Sequence, residues 1–308
     1  MSNANLNAAK KAKNDEFYTM YEDIENELQH YPGAFQGKIV YCNCDNPEWS
    51  NFWRYFHENF AALGLKKLVS THYEKDVETN GHPYKMEYEG GNDVDITAGV
   101  KTPLEGNGDF ASDECIEILR QADIVVTNPP FSVFKAYIQT LFDNEKRFII
   151  IGNKQAAIYK NVFPHIKRGE VSLGYTSPKV FLTINEGKEE DYEAGLAGLC
   201  RWLTTETDTP PHRPLILSER YSPDKYKRYD NVNAINVDKT KDIPIDYTGI
   251  MGVPISFMDK YDPERFELIG HENDMKGNGG QGVPGGGLYI NSNEVYRRIF
   301  IKNRRPEP

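Results

Sequence analysis

Cysteine is scarce in this chain, long apolar runs are missing and positive charge is in deficit. Each shortage excludes something. The four cysteines, Cys42, Cys44, Cys115 and Cys200, are too few and too scattered for a disulfide framework. Cys42-x-Cys44 has no His or Cys pair at finger spacing, so buried thiols on a strand are expected rather than a zinc site. The compartment expected is reducing and cytoplasmic. No run of about 18 apolar residues occurs, which excludes a membrane-spanning helix. Met1 to Lys13 is rich in Asn, Ala and Lys without an apolar core, unlike a secretory signal, and is expected as a disordered lead-in. A net charge of −10 argues against indiscriminate binding of polyanions. Glycine, too, is missing from the turn after the first strand, where a dinucleotide site would use it. Gly277 to Gly287 is Gly-rich, but no Lys-Ser/Thr follows it as in a phosphate loop.

What the chain does have is centred on Asp123-Ile124-Val125-Val126-Thr127-Asn128-Pro129-Pro130-Phe131. Ile124 to Val126 is apolar on both faces, the pattern of a buried parallel strand. The two prolines lack an N–H and fix φ, so the strand ends where they begin. Asn128 is therefore expected at the carboxyl end of a strand, where open α/β sheets place their ligands.

The residue types point to a particular chemistry. An exocyclic amine on an aromatic ring is a poor nucleophile because its lone pair is delocalised into the ring. An amide oxygen on Asn128 and the carbonyl of Pro129 could each accept one N–H, localising that lone pair. Pro129 and Pro130 stiffen the loop, and Phe131 offers a face for ring stacking. A plainer reading makes Asn128 the cap of a helix beginning near Ser132.

Asn-Pro-Pro-Phe is the motif of amino-group methyltransferases that use S-adenosylmethionine. Together with Asn14-Asp15-Glu16-Phe17-Tyr18-Thr19, Cys42-Asn43-Cys44-Asp45 and Met251-Gly252-Val253-Pro254-Ile255, it resembles the EcoRI-type adenine-specific modification methylases, in the same order over most of residues 13–301. The resemblance implies a doubly wound, mostly parallel seven-stranded α/β sheet of the methyltransferase (Rossmann-like) class, whose last strand is antiparallel. It implies S-adenosylmethionine as cofactor and an adenine flipped out of double-stranded DNA as methyl acceptor, with Asn128, Pro129, Pro130 and Phe131 as the catalytic loop. A cognate restriction endonuclease would act on the same site without forming a stable complex. Phe17, Tyr18 and Thr19 would lie beside the methionine end of the cofactor. Asn43 and Asp45 would sit at its turn, Glu74 or Asp76 at its ribose, and Asp109 with Phe110 at its adenine. Asn128 would also border the cofactor. The alternatives are an RNA adenine or protein glutamine methyltransferase, the latter usually with Tyr where Phe131 stands, and a DNA-binding protein with a defunct catalytic domain.

Around these blocks, Lys38 to Cys44 and Lys67 to Tyr73 read as strands. Between the two strands, Asn46 is expected to cap a helix that buries Phe52, Phe56, Phe60 and Leu63 and ends at Gly64. His72 and His82 read as surface or hairpin residues. Tyr84 to Tyr88 and Val94 to Thr97 read as an inserted hairpin. Helices are expected over 113–121, with Ser112 as cap, along the Phe134–Tyr137–Ile138–Leu141 stripe and over 157–166. Further strands are expected over 147–153, 171–173, 180–184 and 198–203, with acidic loops over 186–193 and 204–214. The domain reading is a lead-in over 1–13, a catalytic domain over 14–215 and an α+β target-recognition part over 216–308. The last contains Tyr221 to Asp230, where aromatics interleave with Lys and Arg, a pattern suited to stacking and phosphate contact. It also contains Arg297, Arg298, Lys302, Arg304 and Arg305 against Glu294 and Glu307, a local excess of positive charge that could meet phosphates.

Overall fold

A computed structural model describes residues 18–74, 82–91, 94–185, 188–192, 197–207, 215–275 and 287–307. The chain divides into two compact units, residues 1–166 with 170–207, and residues 167–169 with 208–308.

In the first unit the order is β1 (Tyr18–Thr19), α1 (Tyr21–Leu28), β2 (Ile39–Cys42), α2 (Asn51–Glu58), α3 (Phe60–Leu63), β3 (Lys67–Thr71), β4 (Tyr84–Tyr88), β5 (Val100–Pro103), α4 (Asp113–Gln121), β6 (Ile124–Thr127), α5 (Phe134–Asp143), β7 (Arg147–Asn153), α6 (Phe163–Lys167), β8 (Ser172–Leu173), β9 (Phe181–Asn185), β10 (Lys188–Tyr192) and β11 (Cys200–Thr204). The main sheet runs β5-β4-β3-β2-β6-β7-β11-β8. Its central β3-β2-β6-β7 run is parallel, and both flanks are antiparallel. The resemblance implies seven strands; the sheet holds eight. The additional antiparallel flank arises because Tyr84–Tyr88 pairs directly with β3 and then with Val100–Pro103. Val94–Thr97, expected as the other arm of that hairpin, is not a strand.

Every residue of β6 is buried, as its doubly apolar pattern demands. Each such aliphatic side chain contributes about 1.5–3 kcal/mol. The stripe Phe134, Tyr137, Ile138 and Leu141 of α5 is buried as its spacing predicts. Ser50, not Asn46, caps α2, its Oγ accepting from the Phe52 N–H at 3.1 Å. Asn46 instead makes a local turn, its Oδ1 accepting from the Glu48 N–H. The single helix expected up to Gly64 is two, α2 and α3, which bury Phe52 and Phe56 but leave Phe60 and Leu63 only partly buried. Helix α3 ends at Gly64, whose φ of 63° is left-handed.

Four further expectations are corrected. Residues 157–166 are not one helix but a 3-10 turn, Lys154–Ile158, followed by the short α6. β9 lies outside the main sheet, in a small sheet of order β1-β9-β10. Part of the acidic 186–193 segment is strand β10, because it can pair back on β9. Residues 204–214 begin with the last residue of β11, and 208–214 lie outside the described residues. Two buried carboxylates of α1 fasten the segment leading into β9. Glu27 accepts from the Tyr175 and Thr176 N–H groups, and Asp23 accepts from the Lys179 N–H.

The second unit carries β12 (Ile235–Asn236), β13 (Ile250–Val253), β14 (Phe266–His271), α7 (Glu272–Met275), β15 (Leu288–Ile290), β16 (Asn293–Val295) and β17 (Ile299–Asn303). One sheet has the order β12-β13-β17-β14, and β15 pairs with β16. Tyr229, Val232, Ala234, Met275, Leu288 and Phe300 form a core cluster. Among the described residues this unit is chiefly β, with α7 its one α-helix and two 3-10 segments, Thr240–Asp242 and Ile255–Lys260. Tyr226 and Tyr229 are buried, so this aromatic-rich stretch turns two of its rings inward. Gly287 apart, the Gly-rich run lies outside the described residues, as do residues 1–13.

Candidate active site

The chain crosses from β3 at one side of β2 to β6 at the other, which makes the β2–β6 boundary a topological switch point. Val40 pairs with Ile124 and Tyr41 with Val125, so both strands deliver their carboxyl-end turns to one edge. These turns are Asn43-Cys44-Asp45-Asn46 and Asn128-Pro129-Pro130-Phe131.

Asp45 joins the two turns. Its Oδ2 accepts from the Thr127 hydroxyl, on the residue before Asn128, and its Oδ1 accepts from Ser50 Oγ at 2.8 Å. Its carbonyl accepts from Ser70 Oγ on β3. One buried carboxylate thus braces the first turn, strand β6 and the cap of α2. Asn43 is braced from another side: Tyr137 Oη of α5 donates to Asn43 Oδ1 at 2.6 Å. Burial holds the Tyr137 phenol well above its ordinary pKa, so it remains a donor.

The cavity at this edge is lined by Tyr18, Cys44 to Asn46, Trp49, Thr71 to Tyr73 and Asn128 to Phe131. Helix α5 begins after Val133 without a side-chain cap, and the Val133 N–H bonds to the Pro130 carbonyl at 3.2 Å. Asn128 therefore does not cap that helix, and the Pro129 carbonyl lies outside the bond that closes the turn. Phe131 is half-buried and stands at 87° to the ring of Phe181, with centroids 6.3 Å apart.

Of the other expected residues, Tyr18 lines the cavity, whereas Thr19 is buried and holds α2 through its carbonyl, which accepts from Asn51 Nδ2. Phe17 and Asp76 lie outside the described residues. Glu74 and the Gly108-Asp109-Phe110 loop are not among the residues that line the cavity, and Glu74 is joined to the residue before that loop. The Glu74 N–H donates to the Asn107 carbonyl at 2.9 Å. Gly108 has φ of 78°, and a Cβ there would lie 2.3 Å from the His72 carbonyl, so only glycine lets this loop close on the end of β3. The Asp109 Oδ1 accepts from the Ala111 N–H at 2.8 Å. Phe110 meets Tyr137 edge to face at 5.2 Å.

His72 is placed in the lining rather than on the surface, its Nδ1 2.9 Å from Asn46 Nδ2. Trp49, Thr71, Tyr73 and the Thr127 bridge were also absent from the candidates. A polar Thr closing an apolar strand beside Asn128 is a signal for the last of these. The first three need the tertiary placement. Burial raises the Cys42 and Cys200 thiols, the latter to about 12, so neither is a thiolate at neutral pH.

Comparison with known proteins gives the family. The family described as "Adenine-specific methyltransferase EcoRI" matches residues 5–304. The chain is 41% identical to Type II methyltransferase M.EcoRI of Escherichia coli, over 99% of this chain and 98% of that protein. It is 36% identical to Type II methyltransferase M.MgeORF184P of Mycoplasma genitalium, over 86% and 85%. With Type II methyltransferase M.MpnI of Mycoplasma pneumoniae it shares 37%, over 86% and 84%. No solved structure matches at a significant level. The chain belongs to the EcoRI family of adenine-specific methyltransferases.

Proposed function

We propose that this chain, a site-specific DNA methyltransferase by family, methylates N6 of an adenine flipped out of duplex DNA, with S-adenosylmethionine as donor. The observation that carries the reading is the joining of Asn128 and the first-strand turn at one switch-point cavity, through Asp45 and Thr127. The residues present suit the cofactor. Tyr18, the 44–46 turn and Thr71 to Tyr73 give a cavity wall of mixed aromatic and polar groups. Asp109 Oδ2 and the Phe110 ring, on the loop whose Gly108 closes on His72 after β3, suit a purine carrying an exocyclic amine.

S-adenosylmethionine, when bound, supplies an electrophilic methyl group on a sulfonium sulfur. The chain's own residues prepare the acceptor. Asn128 Oδ1 and the Pro129 carbonyl accept the two N–H groups of the adenine amine and localise its lone pair. Prolines at 129 and 130 hold both acceptors in place before the base arrives, so little reorganisation is needed during reaction. Phe131 stacks on the extruded base, which must leave the helix because N6 is otherwise stacked inside it. Asn43 and Asp45 act as braces of the cofactor turn, since their side chains bond Tyr137, Thr127 and Ser50. Residues 216–308 supply target recognition.

Incubation with a plasmid, a synthetic RNA and a protein extract, followed by mapping of the modified atoms, tests the reading. N6-methyladenine at one defined DNA sequence is expected. Methyl transfer only to RNA or to glutamine side chains would overturn it.

A further inference from the structure

Two large aromatic side chains of the cavity, Trp49 and Tyr73, stay exposed, and Trp49 is the more exposed of the two. The other two tryptophans, Trp53 and Trp202, are fully buried, whereas Trp49 is 49% exposed. It is nevertheless held in place. The indole Nε1 donates to Tyr18 Oη at 3.2 Å, and the ring stands edge-on to His72, at 6.4 Å and 78°. The His72 ring is itself tied to Asn46. Three parts of the cavity wall, β1, the first-strand turn and the end of β3, thus fix a ring that contributes little to the core. An indole both exposed and oriented is built to meet a ligand.

The charge of that ligand follows from the lining. Among the described residues that line the cavity there is no Lys or Arg, while Asp45 and several aromatic rings are present. Aromatic faces attract cations, indole most strongly. We propose that Trp49 is a cofactor-binding residue whose exposed face receives the positively charged sulfonium of S-adenosylmethionine. The inference rests on the methyltransferase reading above. It adds a way to distinguish the substrate cofactor from its product: methyl transfer turns the cation into a neutral thioether, which the ring holds less tightly. Trp49 thereby favours binding of charged cofactor and release of the spent one.

The burial of Trp53 and Trp202 makes Trp49 the tryptophan open to a quencher. Iodide quenching of the intact protein should therefore fall when S-adenosylmethionine binds. Calorimetric titration with S-adenosylmethionine and S-adenosylhomocysteine should then be compared for wild type, Trp49→Phe and Trp49→Leu. In Trp49→Leu the preference for the charged cofactor over the thioether should drop by roughly 2- to 30-fold, and Trp49→Phe should keep part of it. A Trp49→Leu protein with the wild-type preference overturns the proposal, as does iodide quenching unchanged by saturating cofactor. Equal weakening for both ligands also overturns it, since contact would then not depend on charge. If the wild type binds neither ligand, the cofactor reading itself fails, an outcome distinct from the others.

Discussion

Tyr137 Oη donates to Asn43 Oδ1 at 2.6 Å, joining two side chains 94 residues apart in sequence. The bond ties α5, the helix that leaves the Asn-Pro-Pro-Phe loop, to the turn after β2. Because the Tyr137 ring also meets Phe110, one buried side chain touches two of the segments assigned to the cofactor. Tyr137→Phe keeps the ring and deletes the bond, leaving a buried amide oxygen short of its donor. The expected loss is about 1–3 kcal/mol in urea denaturation, with a severalfold weaker affinity for S-adenosylhomocysteine by calorimetry. An unchanged affinity would confine Tyr137 to the core.

Thr127→Val tests the second brace. The substitution is close to isosteric and removes the hydroxyl that donates to Asp45 Oδ2. The first-strand turn and β6 then lose a shared hydrogen bond while the apolar packing of the strand is kept. Single-turnover rate should fall more than folding stability does. A variant with wild-type rate would show that Asn128 is positioned without this bridge.

Much of the first unit around the Asn-Pro-Pro-Phe loop was legible because strong local signals coincide there. A doubly apolar strand, two prolines and a stripe at helical spacing leave few alternatives for residues 124–141, and the structure has β6 and α5 where those signals put them. The turn chemistry after β2 was less legible. Asn46 and Ser50 are both good caps in sequence, and only the packing of α2 decides for Ser50. The roles of Asn43 and Asp45 as braces depend on Tyr137 and Thr127, residues far away in the chain. Tyr226 and Tyr229 show the same limit: alternation with Lys and Arg looks like a binding surface, yet the core needs those rings.

The thiols differ in access, which gives a chemical test of the cavity. Cys42, Cys115 and Cys200 are buried, and burial raises their pKa values; Cys44 is partly exposed and lines the cavity. An alkylating reagent at pH 8 should therefore label Cys44 first, and S-adenosylhomocysteine should slow that labelling. Mass mapping of the adduct checks this. Labelling of Cys200 at an equal rate in the folded protein would contradict its burial.

Within the basic tail the arginines are not equivalent. Arg298 is largely buried and bonds Asp238 and Asn236, and Arg297 pairs with Glu272. Arg305 pairs with Glu264 only at the exposed surface, where such a pair is weak. Replacing Arg304 and Arg305 together by Ala should weaken binding to all DNA sequences alike and lower the salt slope by about 1–2. Arg298→Ala should instead lower the denaturation midpoint. Filter binding across a salt series distinguishes them, and an unchanged slope in the double variant would leave the tail a solvated end.

The most direct test of the account is single-turnover methylation of an adenine-containing cognate duplex by Asn128→Ala. Removing one of two preorganised acceptors should cost on the order of 3 kcal/mol in the transition state, roughly a hundredfold or more in rate. Cofactor affinity should be retained, because the role proposed for the amide is to hold the target amine. Phe131→Tyr should keep appreciable activity, while Phe131→Ala should lose capture of the base. An Asn128→Ala enzyme that methylates adenine at the wild-type rate would contradict the assignment of this loop as the active site.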